Sequence, residues 1–398
     1  SFMNITHFKQ CEQTIRKASI VIAMVPDTVL LKIADSCVLH GKSLITPSRL
    51  NRQMVLRKSQ AEENDTLLLM ECGLSPGLDH ITAKKAIDNI HSKGGKIVSF
   101  KTYSGSFIDE SCVNNPWHFK LTVPALELIH TGKNNNRHLI NGKLQHIPYH
   151  QLFFRGESLM INGFDDVIAI PEGDSLYYRK MYQLSDAATV IKGKIFRRGF
   201  EHIWDLLIRM GLTDNISRID LHEKSFFYLV ESLLPYSPSE SIESKLIKYA
   251  GATEEDIAKL KWLGLFDDEW PGGNKELTPA LILQYLLDNR FTMEQDDQDC
   301  IVMQHQLEYQ YRNGHHKFTA TLINKGHNKL ESAAARAIGY TTGAAAKSYL
   351  LGRIAVRGLH IPTRKEIYDP ILNELDELNV AFQVEEKKIY DMEVPVNE

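Results

Sequence analysis

Short apolar runs alternate with helical patterns over the first eighty residues. Residues 19–24 are apolar at nearly every position, as in a strand that is buried on both faces. Asp27 then precedes a segment whose apolar residues recur at helical spacing. Residues 43–46 and 67–70 repeat the strand pattern, and residues 50–61 between them are predicted to form a helix. Strands separated by helices of this length predict a parallel sheet with right-handed crossovers.

The stretch 70–80, with the sequence MECGLSPGLDH, joins the third apolar run to the next helical pattern. Pro76 and Gly77 predict a type II turn, because proline fixes φ near about −65° and glycine accepts positive φ. Asp79 is predicted to cap a helix that begins near Ile81. Ligands of open α/β sheets bind at the carboxyl ends of strands, so this turn with its Ser, Asp and His side chains is a candidate site. A strand–helix connector with a capping aspartate explains the same residues without a ligand.

The patterns change in the remainder of the chain. Residues 96–200 combine strand patterns with polar loops and predict a second, mixed α/β domain. Residues 201–290 carry apolar residues at helical spacing and are predicted to be mostly helical. Residues 299–323 predict a β-hairpin, because Asn313 and Gly314 separate two strand patterns. The segment beyond the hairpin is predicted to be helical and then extended.

Composition narrows the classes of function. The chain has 398 residues, enough for two or three domains, and a formal net charge of −4. The sequence has neither the basic excess of a nucleic-acid-binding protein nor an apolar run of about 18 residues that predicts a membrane helix. Its five cysteines are scattered and form no CxxC pair, which favours reduced thiols in a cytoplasmic protein. His305, His315 and His316 lack the spacing of metal ligands, so no metal site is predicted.

The predicted parallel sheet looks like the second half of a dinucleotide-binding fold. No G-x-G-x-x-G sequence occurs in the chain, and the strand–helix pattern is already under way close to Ser1. If a dinucleotide binds, we expect its pyrophosphate loop either upstream of Ser1 or lost. A fragment boundary and a real loss both stay open. The choice between NAD and NADP stays open as well, because the residue that separates them normally lies in that part of the fold.

Seven short stretches of the sequence are more informative as a set than singly. They are GLSPGLDH at 73–80, GGK at 94–96, NNP at 114–116, DS at 174–175, KWLGLF at 261–266, VMQH at 302–305 and YDPIL at 368–372. In this order and at this approximate spacing, they resemble saccharopine dehydrogenase of the glutamate-forming type. The resemblance covers nearly the whole chain.

The resemblance implies an α/β fold with a partial Rossmann-like parallel sheet and a mixed-sheet α/β substrate domain that carries a helical insertion. The partial dinucleotide-binding domain would be residues 1–80, with the C-terminal residues 340–398 packing back on it. The substrate and dimerisation domain would combine residues 81–200 with residues 291–339, and the helical insertion would be residues 201–290. A cytoplasmic homodimer without a nucleic-acid or membrane partner is therefore expected.

The family reaction is hydride chemistry at a secondary amine. The carbon of the C–N bond of saccharopine gives a hydride to NADP, with NAD as the alternative, and the imine is hydrolysed to glutamate and aminoadipate semialdehyde. The reverse direction serves lysine biosynthesis. To act on its amino-acid substrate, such a site needs cations that bind the carboxylates and a group that takes up or gives the amine proton. It also needs a surface that positions the nicotinamide.

The resemblance also implies two sets of contacts, while no catalytic residue is assigned. The expected substrate contacts are Ser48, Arg49, Ser75, Ser104 and Arg197. The expected cofactor contacts are Met24, Val25, Pro26, Thr46, Leu74 and Pro76.

Several substrate-facing positions depart from the family pattern. Arg49 stands where the family has Tyr, Ser75 where it has Asp, and Ser104 where it has Cys. Phe196 occupies the position of a carboxylate-binding Arg, and Arg197 is one position on, where a strand side chain faces the opposite way. Three interpretations stay open: a working saccharopine dehydrogenase, a dehydrogenase of another carboxylated secondary amine such as a carboxylated polyamine precursor, and an inactive relative with a binding or regulatory role.

Overall fold

The computed structural model describes residues 8–220, 225–268, 276–312 and 314–389. Asn313 of the predicted hairpin lies outside these ranges, as do the first and last residues of the predicted dinucleotide-binding part. The strands within them are β1 (Val21–Ile22), β2 (Leu44–Ile45), β3 (Leu67–Leu69), β4 (Lys96–Ile108), β5 (Arg137–Ile140), β6 (Lys143–His146), β7 (Glu157–Ile161), β8 (Phe164–Pro171), β9 (Thr189–Arg197), β10 (Ile219–Asp220), β11 (Glu276–Leu277), β12 (Asp299–Tyr311), β13 (Gly314–Lys325), β14 (Gly358–His360) and β15 (Gln383–Ile389).

Helices connect most of these strands. The α-helices are α1 (Phe8–Lys17), α2 (Asp27–Leu39), α3 (Arg52–Val55), α4 (Lys58–Glu63), α5 (Leu78–Ser92), α6 (Ala125–Ile129), α7 (Ser175–Met181), α8 (Phe200–Arg209), α9 (Phe226–Leu233), α10 (Ile242–Lys245), α11 (Glu254–Leu263), α12 (Pro279–Arg290), α13 (Ala333–Leu350) and α14 (Lys365–Glu377). Within the described residues, none of them combines the length and apolar character needed to cross a membrane.

Strands β1, β2, β3 and β14 form one parallel sheet in that order. The predicted parallel sheet is confirmed, because all three apolar runs of the first eighty residues lie in it side by side. Leu44 and Leu68 pack against the layer of α1 and α2. Ile45, Leu67 and Leu69 pack against the opposite layer, which includes α5, α13 and α14. Burial on both faces explains why β2 and β3 are apolar at every position.

The second sheet has nine strands and is mixed, as predicted. Its order is β15-β13-β12-β4-β9-β5-β6, and β8 joins β7 to it by pairing with β9. Strands β4 and β9 run parallel, whereas β12 and β8 run antiparallel to their neighbours. The predicted hairpin is confirmed as β12 and β13, with Tyr311 opposite Gly314. Because β9 is paired on both edges, the positions of its side chains are fixed.

Helices α8 to α12 contribute to a hydrophobic core around the fully buried Trp204. Trp117 and Phe291 meet edge to face in it, with ring centroids 5.3 Å apart. Segments that precede α8 also supply side chains, among them Leu128 and Leu152. The helical part thus shares its core with the preceding mixed-sheet part, and an inserted domain with limits at 201 and 290 stays a proposal.

The C-terminal segment divides between the two sheets. Strand β14 extends the parallel sheet, where Leu359 pairs with Leu68, and α14 packs on the same layer as α5. Strand β15 instead pairs with β13, with Val384 opposite Ala320. The prediction that residues 340–398 pack on the dinucleotide-binding part is therefore wrong for β15. The outer edge of β13 offers a row of backbone hydrogen-bonding groups, and an extended segment satisfies them.

Candidate functional site

The turn after β3 is tighter than the sequence predicts. The Gly73 N–H donates to the Pro76 carbonyl (3.2 Å), and the Leu78 N–H donates to the Gly73 carbonyl (2.9 Å). The Leu78 N–H thus donates to Gly73 rather than to Ser75, and Gly77 has a ψ of −89°, so the predicted type II turn is wrong, although Gly77 does have a positive φ of 145°. Helix α5 begins at Leu78, three residues before the predicted start at Ile81. This turn therefore folds Ser75 back over the first turn of α5.

Asp79 is buried in the first turn of α5, with 3% of its surface exposed. Its Oδ1 accepts the backbone N–H groups of Gly77 (2.7 Å) and His80 (2.9 Å). Its Oδ2 accepts the hydroxyl of Ser75 (2.7 Å) and lies 4.0 Å from Lys192 Nζ. Asp79 thus binds backbone N–H groups at the helix start, as predicted, but it also orients a hydroxyl and faces a lysine that the sequence analysis did not connect with it.

The charge of this carboxylate is maintained by its neighbours. Burial alone would raise the pKa of Asp79, but the charges of His80 and Lys192 and the hydrogen bonds from Ser75 and Gly77 lower it below its ordinary value. An ionised Asp79 can only accept hydrogen bonds, so the Ser75 hydroxyl must donate to it. The lone pairs of Ser75 Oγ are therefore free to accept a hydrogen bond from a ligand.

A cavity of about 1790 Å³ lies between the carboxyl ends of the parallel strands and the mixed sheet. The five expected substrate contacts all line it: Ser48 and Arg49 after β2, Ser75 after β3, Ser104 in β4 and Arg197 at the end of β9. Side chains more than a hundred residues apart in the sequence are thus brought to one place. Their roles as substrate contacts stay predictions.

The expected cofactor contacts lie at the carboxyl ends of β1, β2 and β3. Met24, Val25 and Pro26 follow β1, where Met24 is 54% exposed. Leu74 and Pro76 follow β3 and line the cavity.

Thr46 differs from the other expected cofactor contacts. Its side chain is fully buried and donates to the hydroxyl of Ser48 (3.1 Å). The role of Thr46 as a cofactor contact therefore stays a prediction. Its hydrogen bond positions Ser48, which does line the cavity.

Sequence analysis missed two lysines of β9 that line the cavity, Lys192 and Lys194. They lie two residues apart, so they project from the same face of the strand. A pair of lysines inside an otherwise apolar strand pattern was the available signal, because such residues are rarely buried without a partner.

Lys192 and Lys194 have different surroundings. Lys192 Nζ lies 4.9 Å from the centroid of the Tyr178 ring. Burial opposes its charge, but Tyr178 and Asp79 outweigh burial and raise the pKa of Lys192. Lys194 Nζ donates to the Thr131 hydroxyl (2.8 Å), and burial lowers the pKa of Lys194. The two environments push the two pKa values apart, which is frequent in functional sites.

Arg197 is closer to the surface than these lysines. Its Nη1 donates to Glu110 Oε1 (2.6 Å), a carboxylate whose side chain is 80% exposed. Phe196 instead stacks on Phe200, with ring centroids 5.1 Å apart, and packs against the helical core. The charge of Arg197 is therefore partly balanced before any ligand binds.

Comparisons with known proteins agree with this architecture. The model of the saccharopine dehydrogenase C-terminal domain family matches residues 73–380. The NADP-dependent, L-glutamate-forming saccharopine dehydrogenase of Schizosaccharomyces pombe is 25% identical over 397 residues, which cover 94% of this chain and 85% of that protein. The enzyme of the same name from Saccharomyces cerevisiae is 26% identical over 386 residues, which cover 94% of this chain and 85% of that protein.

A solved structure supports the fold independently. The apo, histidine-tagged, L-Glu-forming saccharopine dehydrogenase of Saccharomyces cerevisiae superposes with a TM-score of 0.86 at 24% identity, covering 98% of this chain and 88% of that one. The parallel sheet and the mixed sheet thus belong to a fold that the two proteins share. With the family model matching most of its length, the chain belongs to the saccharopine dehydrogenase family.

Proposed function

We propose that this protein is a nicotinamide-dependent oxidoreductase of lysine metabolism that acts on the C–N bond of saccharopine. The observation that carries the proposal is the cavity, because it joins the carboxyl ends of β2 and β3 to a group of cations on the mixed sheet. Saccharopine has three carboxylates and a secondary amine, so it needs cations and a group that manages a proton. The relatives named saccharopine dehydrogenase support the same reaction.

The residues at the strand ends fit a nicotinamide cofactor. Leu74 and Pro76 give the cavity an apolar wall, and Ser48 adds a hydroxyl beside them. An apolar wall with few polar groups is typical of sites that bind a planar cofactor ring. When bound, NADP supplies the hydride acceptor for the carbon of the C–N bond. We propose NADP rather than NAD, because the relatives carry NADP in their names.

We propose that the protein's own residues bind the substrate and manage its proton. Arg49, Lys192 and Arg197 line the cavity and would bind substrate carboxylates. Ser75 Oγ donates to Asp79, so it can accept the N–H of the secondary amine. When the amine is oxidised to the imine, its N–H proton passes to Ser75 Oγ while the hydroxyl proton of Ser75 moves to Asp79. Because the pKa of Asp79 is low, Asp79 then releases this proton to solvent. Water then adds to the imine, and the C–N bond breaks to give glutamate and aminoadipate semialdehyde.

The proposal has a direct test. The purified chain is mixed with NADP and saccharopine, and formation of reduced nicotinamide is followed by absorbance. We expect saccharopine-dependent reduction, with NAD less effective than NADP. A carboxylated polyamine precursor serves as the competing substrate. Reduction with that compound alone would support the altered-substrate interpretation, and no reduction with either would support the inactive relative.

Four finer statements belong to the same proposal. We propose that the parallel-sheet part binds the cofactor and the mixed-sheet part binds the substrate. We propose a homodimer, which light scattering of the purified protein tests. We propose a cytoplasmic location, which suits the buried free cysteines Cys11, Cys37, Cys72 and Cys300. We propose the direction of lysine biosynthesis, which a comparison of forward and reverse rates tests.

Arg197→Ala is expected to weaken saccharopine binding only modestly. Because Glu110 already pairs with Arg197 near the surface, we expect a loss of about three- to tenfold. Titration calorimetry of the variant measures this loss. Glu110→Gln is the matched control, since it frees Arg197 and should tighten binding. Equal affinities for the wild type and both variants would remove Arg197 from the substrate site.

A further inference from the structure

We propose that Lys194 binds a carboxylate of the substrate and, with Arg49 and Lys192, forms a cationic subsite for its dicarboxylate, glutamate-like half. This inference rests on the proposed function, because it names the part of the substrate that the subsite takes. It gives a specificity-determining role to a residue for which the resemblance implied none.

The first observation is the uncompensated charge of Lys194. The residue lines the cavity, and its Nζ donates to Thr131 Oγ1 at 2.8 Å. Within the described ranges, Lys194 forms no ion pair with a carboxylate. An ammonium has three N–H donors, so two of them are available to a ligand. Burying such a charge is costly unless an anion completes its surroundings.

Arg49 and Lys192 also line the cavity and make few close contacts with carboxylates. Arg49 Nη2 donates weakly to the carbonyl of Ser75 (3.5 Å) and, among the residues that the structure describes, has no carboxylate partner. Lys192 faces Asp79 at 4.0 Å, and Asp79 already accepts three shorter hydrogen bonds. The charges of Lys192 and Arg49 both act on Lys194. Among the described residues, Asp79 is the one carboxylate that lies within 4.0 Å of any of these three cations, so the carboxylates of a ligand could bind to their remaining N–H donors.

The placement on β9 explains why Lys194 can replace the missing arginine. Lys192, Lys194 and Phe196 alternate along one face of the strand, and each is partly exposed to the cavity, whereas Gly193 and Ile195 between them are buried. Arg197 lies on the other face. Positions 194 and 196 are only about 6.6 Å apart along a strand, a span that the long lysine side chain covers. Lys194 therefore lies on the same strand face as the position where the family resemblance expects a guanidinium, two residues before it.

The acidic groups near Lys194 do not remove the need for a ligand. Glu172 and Glu127 line the same cavity and raise the pKa of Lys194, but burial, Lys192 and Arg49 lower it, and the net shift is downward. The surroundings therefore lower the pKa of Lys194 when the cavity holds no anion. A substrate carboxylate placed beside Lys194 would raise that pKa again and would be held by the ammonium.

The experiment compares binding of two ligands to the full chain by titration calorimetry. The ligands are saccharopine and glutarate, a plain dicarboxylate that undergoes no reaction. Lys194→Met is expected to weaken both by about 10- to 100-fold, the usual effect of losing a charge-assisted contact. Lys194→Arg should stay within about fivefold of the wild type, because it keeps the charge and the donors. The melting temperature of Lys194→Met should not fall, since an uncompensated buried charge has been removed.

Arg198→Gln is the matched control. Arg198 also lines the cavity, but it is satisfied by Asp166 (2.6 Å) and Ser158 (2.7 Å) and is well exposed. Its replacement should change glutarate affinity by less than about twofold. If Lys194→Met bound glutarate as tightly as Arg198→Gln does, the proposal would be overturned. A large drop in melting temperature with unchanged glutarate affinity would also overturn it, because that result indicates a purely structural lysine.

The two proposals fail separately. If the wild type oxidises no saccharopine but its glutarate binding depends on Lys194, the proposed function is rejected and the subsite is kept. Saccharopine oxidation with an unchanged KM in Lys194→Met keeps the function and rejects the subsite.

Discussion

Replacing Gly77 with alanine is expected to lower the free energy of unfolding by about 3–5 kcal/mol, the sum of a strained backbone and an overpacked contact. Gly77 has a φ of 145°, a conformation that residues with a Cβ rarely adopt. An alanine Cβ would also overlap the backbone of Gly73. The turn must open to accept it, and Ser75 and Asp79 move with the turn. We therefore expect both stability and saccharopine turnover to fall, as measured by chemical denaturation and steady-state kinetics.

Gly94→Ala separates the two causes of this loss. Gly94 also has a positive φ, of 83°, but an added Cβ would meet no atom within 4 Å. Its replacement should cost only about 1 kcal/mol, from backbone conformation alone. Equal losses in the two variants would show that contact with Gly73 does not matter.

Replacing Asp79 with alanine is expected to cost about 3–5 kcal/mol, because it leaves a buried lysine without its carboxylate. The change also removes the acceptor of the Gly77 and His80 N–H groups and of the Ser75 hydroxyl. This exceeds the cost of an ordinary helix cap, which is about 0.5–2 kcal/mol. Turnover should collapse together with stability, since Lys192 and Ser75 both lose the group that orients them.

Ser75→Ala is the control for Asp79. It breaks one hydrogen bond of the carboxylate and keeps the contacts with the backbone and Lys192. We expect a stability loss of about 1 kcal/mol and a fall in turnover that is larger than this loss explains. Normal turnover in Ser75→Ala would exclude Ser75 as the proton acceptor. A loss of less than about 1 kcal/mol in Asp79→Ala would reduce Asp79 to a simple cap.

The parts of the fold that were predictable are those in which a local pattern decides the structure. Strands β2 and β3 are buried on both faces and β1 pairs with β2, so their apolar runs were sufficient. The β12–β13 hairpin was predictable because two strand patterns flank an Asn-Gly pair. The pairing of β15 with β13 was not, because an exposed polar strand carries little pattern and its partner is distant in the sequence.

The candidate site likewise has parts that the sequence predicts and parts that it does not. Ser75 and Asp79 were found because they belong to one turn whose residue types carry local information. The pairing of Lys192 with Asp79 and that of Arg197 with Glu110 join residues about a hundred positions apart, so neither could be derived from spacing. The burial of Thr46 beneath Ser48 likewise depends on packing that the strand pattern does not specify.

The position of β14 has a consequence for the order in which the protein folds during synthesis. Leu68 pairs with Leu359, about 290 residues further along the chain. Until that late strand leaves the ribosome, β3 forms an apolar outer edge of the parallel sheet, with its backbone groups open to other chains. Pairings of such long range form slowly. The parallel-sheet side of the cavity is therefore completed only after residues 358–360 have been synthesised, and a chaperone that shields this edge should raise the yield of active protein.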